Sequence, residues 1–585
     1  MRKHQMTLVS DFYKQAHAEQ YVKGMNFIAS YFTPRMSRLQ NENKLIVWGV
    51  QGFAKDYLIE RFNDTFFSLP VEDIIKEYER VIRHTLTKNY CEPAKIRNLH
   101  NLGYLPIEIK SLVEGTRCPI KVPCIEITST KVGFEWVVQF IESIMSCQLW
   151  YPMTVANQAF RYRTIVDEYF EKTADNDAPR NSAISEFGFR GAEGQEGAIL
   201  ASCAFLTSFK KTATIPAILY IEDYYNGILE DGSIGQGMLS TEHSVMCSNF
   251  AIDGNEETFV KRLLSEIYPS ENISMVSDSY DYWNMVENIL GKGDVKAIIE
   301  ARNGCIFVRG DSGDPVDIVC GTFGKNSGEQ VEDIDISFSE IEEYFRTRGS
   351  NDFAWHEESS RWYYARIEGK VYKVTCCYEY VEDAESSCGG YTCNTVEDVE
   401  IEEFNMTSEM KGTVECLWES FGGHINSKGY KVLSNVIRVV YGDSITPERT
   451  ESIYKRLLDK GFAANNVALG AGSFSMHCTE EQGQLKPFTR DTYGIAIKAT
   501  YVEVDNEPIE VFKNPKTDTG NFKKSQKGMC YVHYDENGEI VVTDGYSRAT
   551  LPKEGNLLKT VFKDGKVYNE VSIYDVRNTL HGERF

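Results

Sequence analysis

Four short apolar runs in the middle of the chain end on residues that can do polar chemistry. ISMVSDSYD (273–281) ends on Asp278, and CIFVRGDSGDP (305–315) ends on Arg309 and Asp311. VIRVVYGDS (436–444) ends on Gly442 and Asp443, and NVALGAGSF (466–474) on Gly470 and Gly472. Carboxylates in such a place hold a magnesium ion or ribose hydroxyls. Glycines there let backbone N–H groups come close to a phosphate. Together these residues suggest a phosphorylated sugar as ligand. Taken one at a time, Asp-Ser and Gly-Asp equally serve as helix caps and turns.

Other residues add to the set. In SEFGFRG, Phe187 and Phe189 flank a glycine and Arg190 follows. An aromatic ring stacks on a flat heterocycle, and a guanidinium forks onto phosphate oxygens. His243 stands in STEHSVM. Near the start, DFYK pairs Asp11 with Tyr13, and TPRMSR carries Arg35 and Arg38. Further on, LKPFTRDTYG carries Arg490, and AIKATYVEV carries Lys498. Each of these alone reads as a core histidine, core aromatic or solvated charge. No G-x-x-x-x-G-K-[ST] motif occurs. Cys376, Cys377, Cys388 and Cys393 lack the paired spacing of common zinc sites.

These residues need elements to position them. The four runs are almost continuously apolar, as strands buried on both faces are. Helix-like stretches lie between some of them. One, TPERTESIYKRLLDKG, has Thr446 as N-cap, Pro447 at the first helical position and Gly461 as stop. Strand, helix, strand in alternation is the mark of a parallel sheet with crossovers, whose sites form at the carboxyl ends of strands. The expectation is a (β/α) barrel over 146–484, with a doubly wound sheet as alternative. The text after 485 alternates apolar and polar residues around Asn537-Gly538 and Asp564-Gly565, which favour tight hairpins. The segments 1–145 and 485–585 are expected to make one outer α+β domain. Residues 321–412 break the barrel rhythm and read as an insertion on a barrel loop, with hairpin text at RWYYARIEGKVYKVTCCYEY.

Composition sets the class. The chain has 585 residues, enough for two or three domains, and a formal charge of −24. So acidic a surface disfavours nucleic acid and anionic lipid as bulk partners, but leaves room for a local anion site. No apolar stretch approaches the roughly 20 residues a membrane helix needs. The opening residues have no apolar core of signal-peptide length, and 15 cysteines are scattered without a framework. A cytoplasmic protein is expected.

Read in order, DFYK, EFGFRG, QE, FKKTAT, TEHS, VSDSYD, VRGDSGDP, NSKGYKVL, IRVVYGD, LGAGS, TRDTYG, KATYVEV, VFKNP and LLKTVFKDGKVY closely resemble the nicotinamide phosphoribosyltransferase family. The resemblance runs nearly end to end, apart from 321–412 and a smaller addition at 474–485. The large insertion resembles bacterial or phage members. What the family implies is a barrel of type II phosphoribosyltransferase form with an outer β-rich domain. It also implies a homodimer with shared active sites, Mg2+, and ATP as a coupling co-substrate.

Residue by residue, the resemblance implies that Phe187 and Tyr13 of a second copy sandwich the pyridine ring. Asp11 lies beside Tyr13, and Arg309 bonds the amide oxygen. Asp278 and Asp311 face the ribosyl centre and its magnesium. Arg190 holds phosphate. Gly442, Asp443, Gly472 and Ser473 line the ribose-phosphate end, and Arg35, Arg490, Lys498 and Lys513 receive pyrophosphate. His243 matches the histidine that the family phosphorylates. One departure is that the family's carboxylate facing the base amide is Ala213 here. Nicotinate phosphoribosyltransferase, or use of both bases, stays open as an alternative. So does a catalytically silent binding protein, although that would not need Asp311, Arg309, His243 and Arg190 together.

Overall fold

The structure, a computed structural model, describes residues 4–88, 92–175, 179–324, 331–351, 360–382, 391–513 and 525–585. The parallel sheet has six strands: β1 (Ile184–Glu186), β2 (Leu239–Ser240), β3 (Ile273–Val276), β4 (Ile306–Gly310), β5 (Ile437–Tyr441) and β6 (Val467–Ala471). Their order is β1-β6-β5-β4-β3-β2, every neighbour parallel. The two ends of this sheet meet through the segment 210–213. The Glu186 N–H donates to Lys211 O at 3.0 Å and the Ala213 N–H to Glu186 O at 2.7 Å. On its other side, the Thr212 N–H donates to Gln236 O at 3.2 Å and the Gln236 N–H to Lys210 O at 2.9 Å. The sheet therefore closes on itself, and a barrel, not a doubly wound sheet, is what the crossovers build.

The helix between β5 and β6 spans Pro447–Asp459. The Thr446 hydroxyl accepts the Arg449 N–H at 3.2 Å, and Gly461 turns the chain at φ +73°. Capping and proline placement thus fix that crossover as its sequence indicates.

A second, seven-stranded antiparallel sheet joins both ends of the chain. Met25–Thr33, Ile107–Ser111 and Ile125–Ser129 come from the first part, and Ala496–Val504, Glu507–Glu510, Lys559–Lys563 and Lys566–Val567 from the last. In its register Tyr31 faces Lys498, so the strand that runs on into Arg35 lies beside Lys498. The helix Glu142–Thr173 crosses the expected boundary at 145. Its Met145, Leu149 and Met153 pack in the outer core, and Val155, Ala159 and Tyr162 in the barrel core. The last helix, Ile573–His581, also departs from the expected division, because Ile573, Val576 and Leu580 pack into the barrel.

Hairpin chemistry is resolved turn by turn. Asp564-Gly565 forms the expected two-residue turn, with φ of 48° and 79°. Asn537-Gly538 does not: it lies in the longer loop between Tyr534 and Ile540, with only Gly538 at positive φ. The insertion has its own four-stranded sheet, Val331–Asp333, Ser360–Ile367, Lys370–Glu382 and Tyr391–Glu403, packed on Ile341 and Phe345. It leaves the barrel after the helix Pro315–Cys320 and returns at Gly412. There the stems touch: a Cβ on Gly321 would stand 2.2 Å from Met410 O, and one on Gly412 2.1 Å from Gly321 N. The exit lies in the outer helical layer, away from the strand ends that carry the polar residues. No helix among the described residues is long and apolar enough to cross a membrane.

Candidate active site

The strand ends converge. Asp278, just beyond β3, accepts the Asp311 N–H at 3.0 Å and the Ser312 hydroxyl at 2.6 Å, both on Oδ2. Its Oδ1 is buried with no hydrogen-bond partner and lies 3.8 Å from His243 Nε2. His243 opens the helix His243–Asp253 and meets the Ser279 hydroxyl through Nδ1 at 3.1 Å. Arg309, on β4, donates from Nη2 to Thr241 O at 3.1 Å, and its Nε lies 3.2 Å from Asp311 Oδ2. Burial pushes the Asp311 carboxyl up. Arg309 pulls it back, while Asp278 and Asp443 push it up again. Three carboxylates thus share one edge with the guanidinium of Arg309. Among the described residues there is no ready cluster of three or more metal-binding side chains. Asp278, with its orphaned oxygen, and Asp311 fit a magnesium ion that takes its other ligands from substrate and water.

The glycines here make room for side chains as well as for ligands. A Cβ on Gly442 would stand 2.7 Å from Asp311 Oδ1 and 3.4 Å from the Phe187 ring. One on Gly470 would stand 1.8 Å from that ring. Phe187 therefore turns a ring edge to Gly470 on β6, beside Asp311 and Arg309, and the Phe187 N–H donates to Ala471 O at 3.1 Å. Gly472 remains 3.9 Å from the ring. Ser473 starts the next short helix and packs on Gly191, where a Cβ would meet its hydroxyl at 2.0 Å. Arg190 and Ala213 are exposed beside this group, as is Asp443.

A second group forms on the outer domain. Asp11 accepts the Tyr13 hydroxyl at 3.1 Å and also bonds the Ser143 hydroxyl. Burial, and then the bond to Asp11, raise the Tyr13 phenol. Arg35 Nε donates to Gly494 O at 2.9 Å. Lys498 lies 3.7 Å from Glu142 and feels Arg35, Lys14 and Lys513 as like charges. Burial and those three cations together lower it, against the pull of Glu142. Arg490 is exposed close enough to Tyr13 to oppose that rise. Arg35, Lys498, Lys14 and Lys513 thus gather positive charge on a chain that is acidic as a whole, with Glu142 among them.

Some participants were invisible in the sequence. Lys14 pairs with Glu142, the first residue of a long helix, and neither carried a separable signal. Ser279, Ser312 and the carbonyl of Thr241 hold His243, Asp278 and Arg309 through contacts that only the fold reveals. Of the four cysteines at 376–393, Cys388 and the side chain of Cys393 lie outside the described residues.

Comparison with known proteins decides the family. The sequence profile of the nicotinate phosphoribosyltransferase (NAPRTase) family matches residues 394–566. A nicotinamide phosphoribosyltransferase of Acinetobacter baylyi is 31% identical over 580 residues, covering 97% of this chain and 96% of its own. The chain belongs to the nicotinamide phosphoribosyltransferase family. Another family member, from Xanthomonas campestris pv. campestris, is 25% identical over 585 residues, covering 98% and 97% of the two chains. Among solved structures, the human nicotinic acid phosphoribosyltransferase aligns at 12% identity and a TM-score of 0.46, covering 98% of this chain and 92% of that one.

Ala213 lies between Thr212 and Thr214. In the structure both are buried and donate to the carboxylate of Glu186, at 2.6 and 3.0 Å. Their hydroxyls are therefore closed to a ligand, while Ala213 between them is exposed.

Proposed function

We propose that the chain transfers the phosphoribosyl group of phosphoribosyl pyrophosphate to nicotinamide, giving nicotinamide mononucleotide and pyrophosphate. The observation that carries this reading is the convergence of Phe187, Arg309, Asp311 and Asp278 within one strand-end cluster. A flat ring, an amide-reading guanidinium and two acids are what a pyridine base joined to ribose requires. The pyridine nitrogen has a free lone pair, so no general base stands at the Phe187 end. The difficulty is positive charge at the sugar carbon and negative charge on the leaving pyrophosphate. Asp278 and Asp311 answer the first, and Arg35, Arg490, Lys498 and Lys513 the second. Stacking on Phe187 holds the attacking nitrogen in line. Asp278 and Asp311 would hold a magnesium ion, which would supply charge neutralisation for the leaving group.

The two groups of residues are read as halves of one site, completed in a homodimer when Tyr13 and the cationic patch of one copy meet the strand ends of another. His243 is read as accepting phosphate from ATP, with Arg190 beside the product. The protein is read as cytoplasmic. One observation favours a second reading. Ala213 leaves no carboxylate to repel nicotinate, which supports use of both bases. The test is pyrophosphate release from phosphoribosyl pyrophosphate and Mg2+ with each base in turn. Release with nicotinamide is expected, and release with neither base would refute the reading.

A further inference from the structure

Glu186 is 1% exposed and lies at the end of β1, directly before Phe187. Its Oε1 accepts the Gly188 N–H at 2.5 Å, and its Oε2 accepts the hydroxyls of Thr212 at 2.6 Å and Thr214 at 3.0 Å. Thr212 Oγ1 in turn accepts the Thr214 N–H at 2.9 Å. No ion pair reaches this carboxylate among the described residues, so neutral donors alone satisfy it. Such a buried acid is costly unless its bonds are all made.

The place of these bonds gives them a purpose. The joint between β1 and 210–213 has no regular ladder, only the pairing of Glu186 with its neighbours across the seam. Two walls of the cluster described above are attached to that joint. Phe187 is held between Glu186 and Gly188, and Ala213 between Thr212 and Thr214. One carboxylate therefore ties the stacking ring to the facing wall. Thr212 and Thr214 are buried with it, which leaves the exposed wall a methyl group at Ala213.

We propose that Glu186 is a positioning residue for the base: it fixes the gap between the Phe187 ring and the 212–214 wall. This rests on the nicotinamide reading above. An amide here keeps its oxygen on the Gly188 N–H and must then donate to the threonine hydroxyls, which have to give up their own donation. That reversal leaves two buried hydroxyl protons to find other acceptors, so the gap shifts on the threonine side.

The test is steady-state kinetics of Glu186→Gln with nicotinamide and phosphoribosyl pyrophosphate varied separately, beside thermal melting. The KM for nicotinamide is expected to rise about tenfold, with the KM for phosphoribosyl pyrophosphate near the wild-type value. Thr214→Val, which removes one donor and keeps the shape, is expected to do the same to a smaller extent. The double variant is expected to show less than the sum of the two effects. An unchanged nicotinamide KM in Glu186→Gln would overturn the proposal. So would an equal rise in both KM values with a lowered melting temperature, or additive effects in the double variant. Inactivity of the wild-type protein with both bases would instead overturn the nicotinamide reading.

Discussion

The ring of Phe187 rests on the backbone of Gly470 so closely that a single added methyl would stand 1.8 Å from it. Gly470 is not at positive φ, so the demand is for space alone. Gly470→Ala should leave the barrel folded but push the ring out of its place. Misplacing a stacking group by about an ångström costs roughly a hundredfold in rate. The measurement is kcat/KM for nicotinamide, with circular dichroism as the check on folding. Unchanged kinetics would remove Phe187 from the base site.

Base choice is proposed to rest on Ala213. With Thr212 and Thr214 both buried, the wall would offer the base amide no acceptor and nicotinate no repulsion. Restoring a carboxylate as Ala213→Asp should favour nicotinamide. A charged hydrogen bond contributes about 1.5–3 kcal/mol, so the ratio of kcat/KM for nicotinamide over nicotinate should rise tenfold or more. If the natural protein already rejects nicotinate strongly, and the substitution leaves the ratio as it was, discrimination lies elsewhere in the pocket.

His243 stands half exposed at a helix start, with one ring nitrogen on Ser279 and the other 3.8 Å from the orphaned oxygen of Asp278. Replacing it as His243→Ala should abolish ATP hydrolysis while slow synthesis without ATP persists. ATP consumption is read by phosphate release. Wild-type consumption in the variant would leave His243 a structural residue.

The insertion can be removed where its stems already meet. Gly321 and Gly412 are in contact, and the Thr322 and Phe323 N–H groups donate to Glu409 O and Met410 O at 2.8 and 3.2 Å. Replacing 325–408 by a short Gly/Ser linker removes Arg366 from Glu415, but Lys460 stays 2.7 Å from that carboxylate. Turnover should remain within about tenfold of the full chain, since outer additions vary around a fixed barrel. Complete loss of activity in a folded deletion would show a direct part in the chemistry.

The barrel was legible because its strands are short apolar runs whose polar residues all fall at one end. The crossover at 447–459 was legible because cap, proline and stop coincide. The closure of the barrel was not, since FKKTAT closes it with isolated bridges and has no strand pattern to read. The strand-end cluster was legible in Asp278, Asp311, Arg309 and the ring of Phe187. Phosphate-binding glycines were expected, and the structure adds that Gly442 and Gly470 also make space for Asp311 and Phe187, which spacing alone does not distinguish. Glu142 and Glu186 escaped notice because a lone acid in a sequence looks like surface charge. Only burial and partners separate it from one.

The strand-end acids and the outer-domain cations are proposed to serve one reaction from two copies of the chain, and mixed chains test this most directly. Asp311→Asn damages one half of the site and Arg490→Ala the other. Each variant alone should be nearly inactive in forming nicotinamide mononucleotide. Mixed in equal amounts and allowed to exchange, half of the dimers pair unlike chains and each of those holds one intact site, so activity should return to about a quarter of wild type. A mixture of folded, exchanging dimers that stays as inactive as either parent would contradict the shared site.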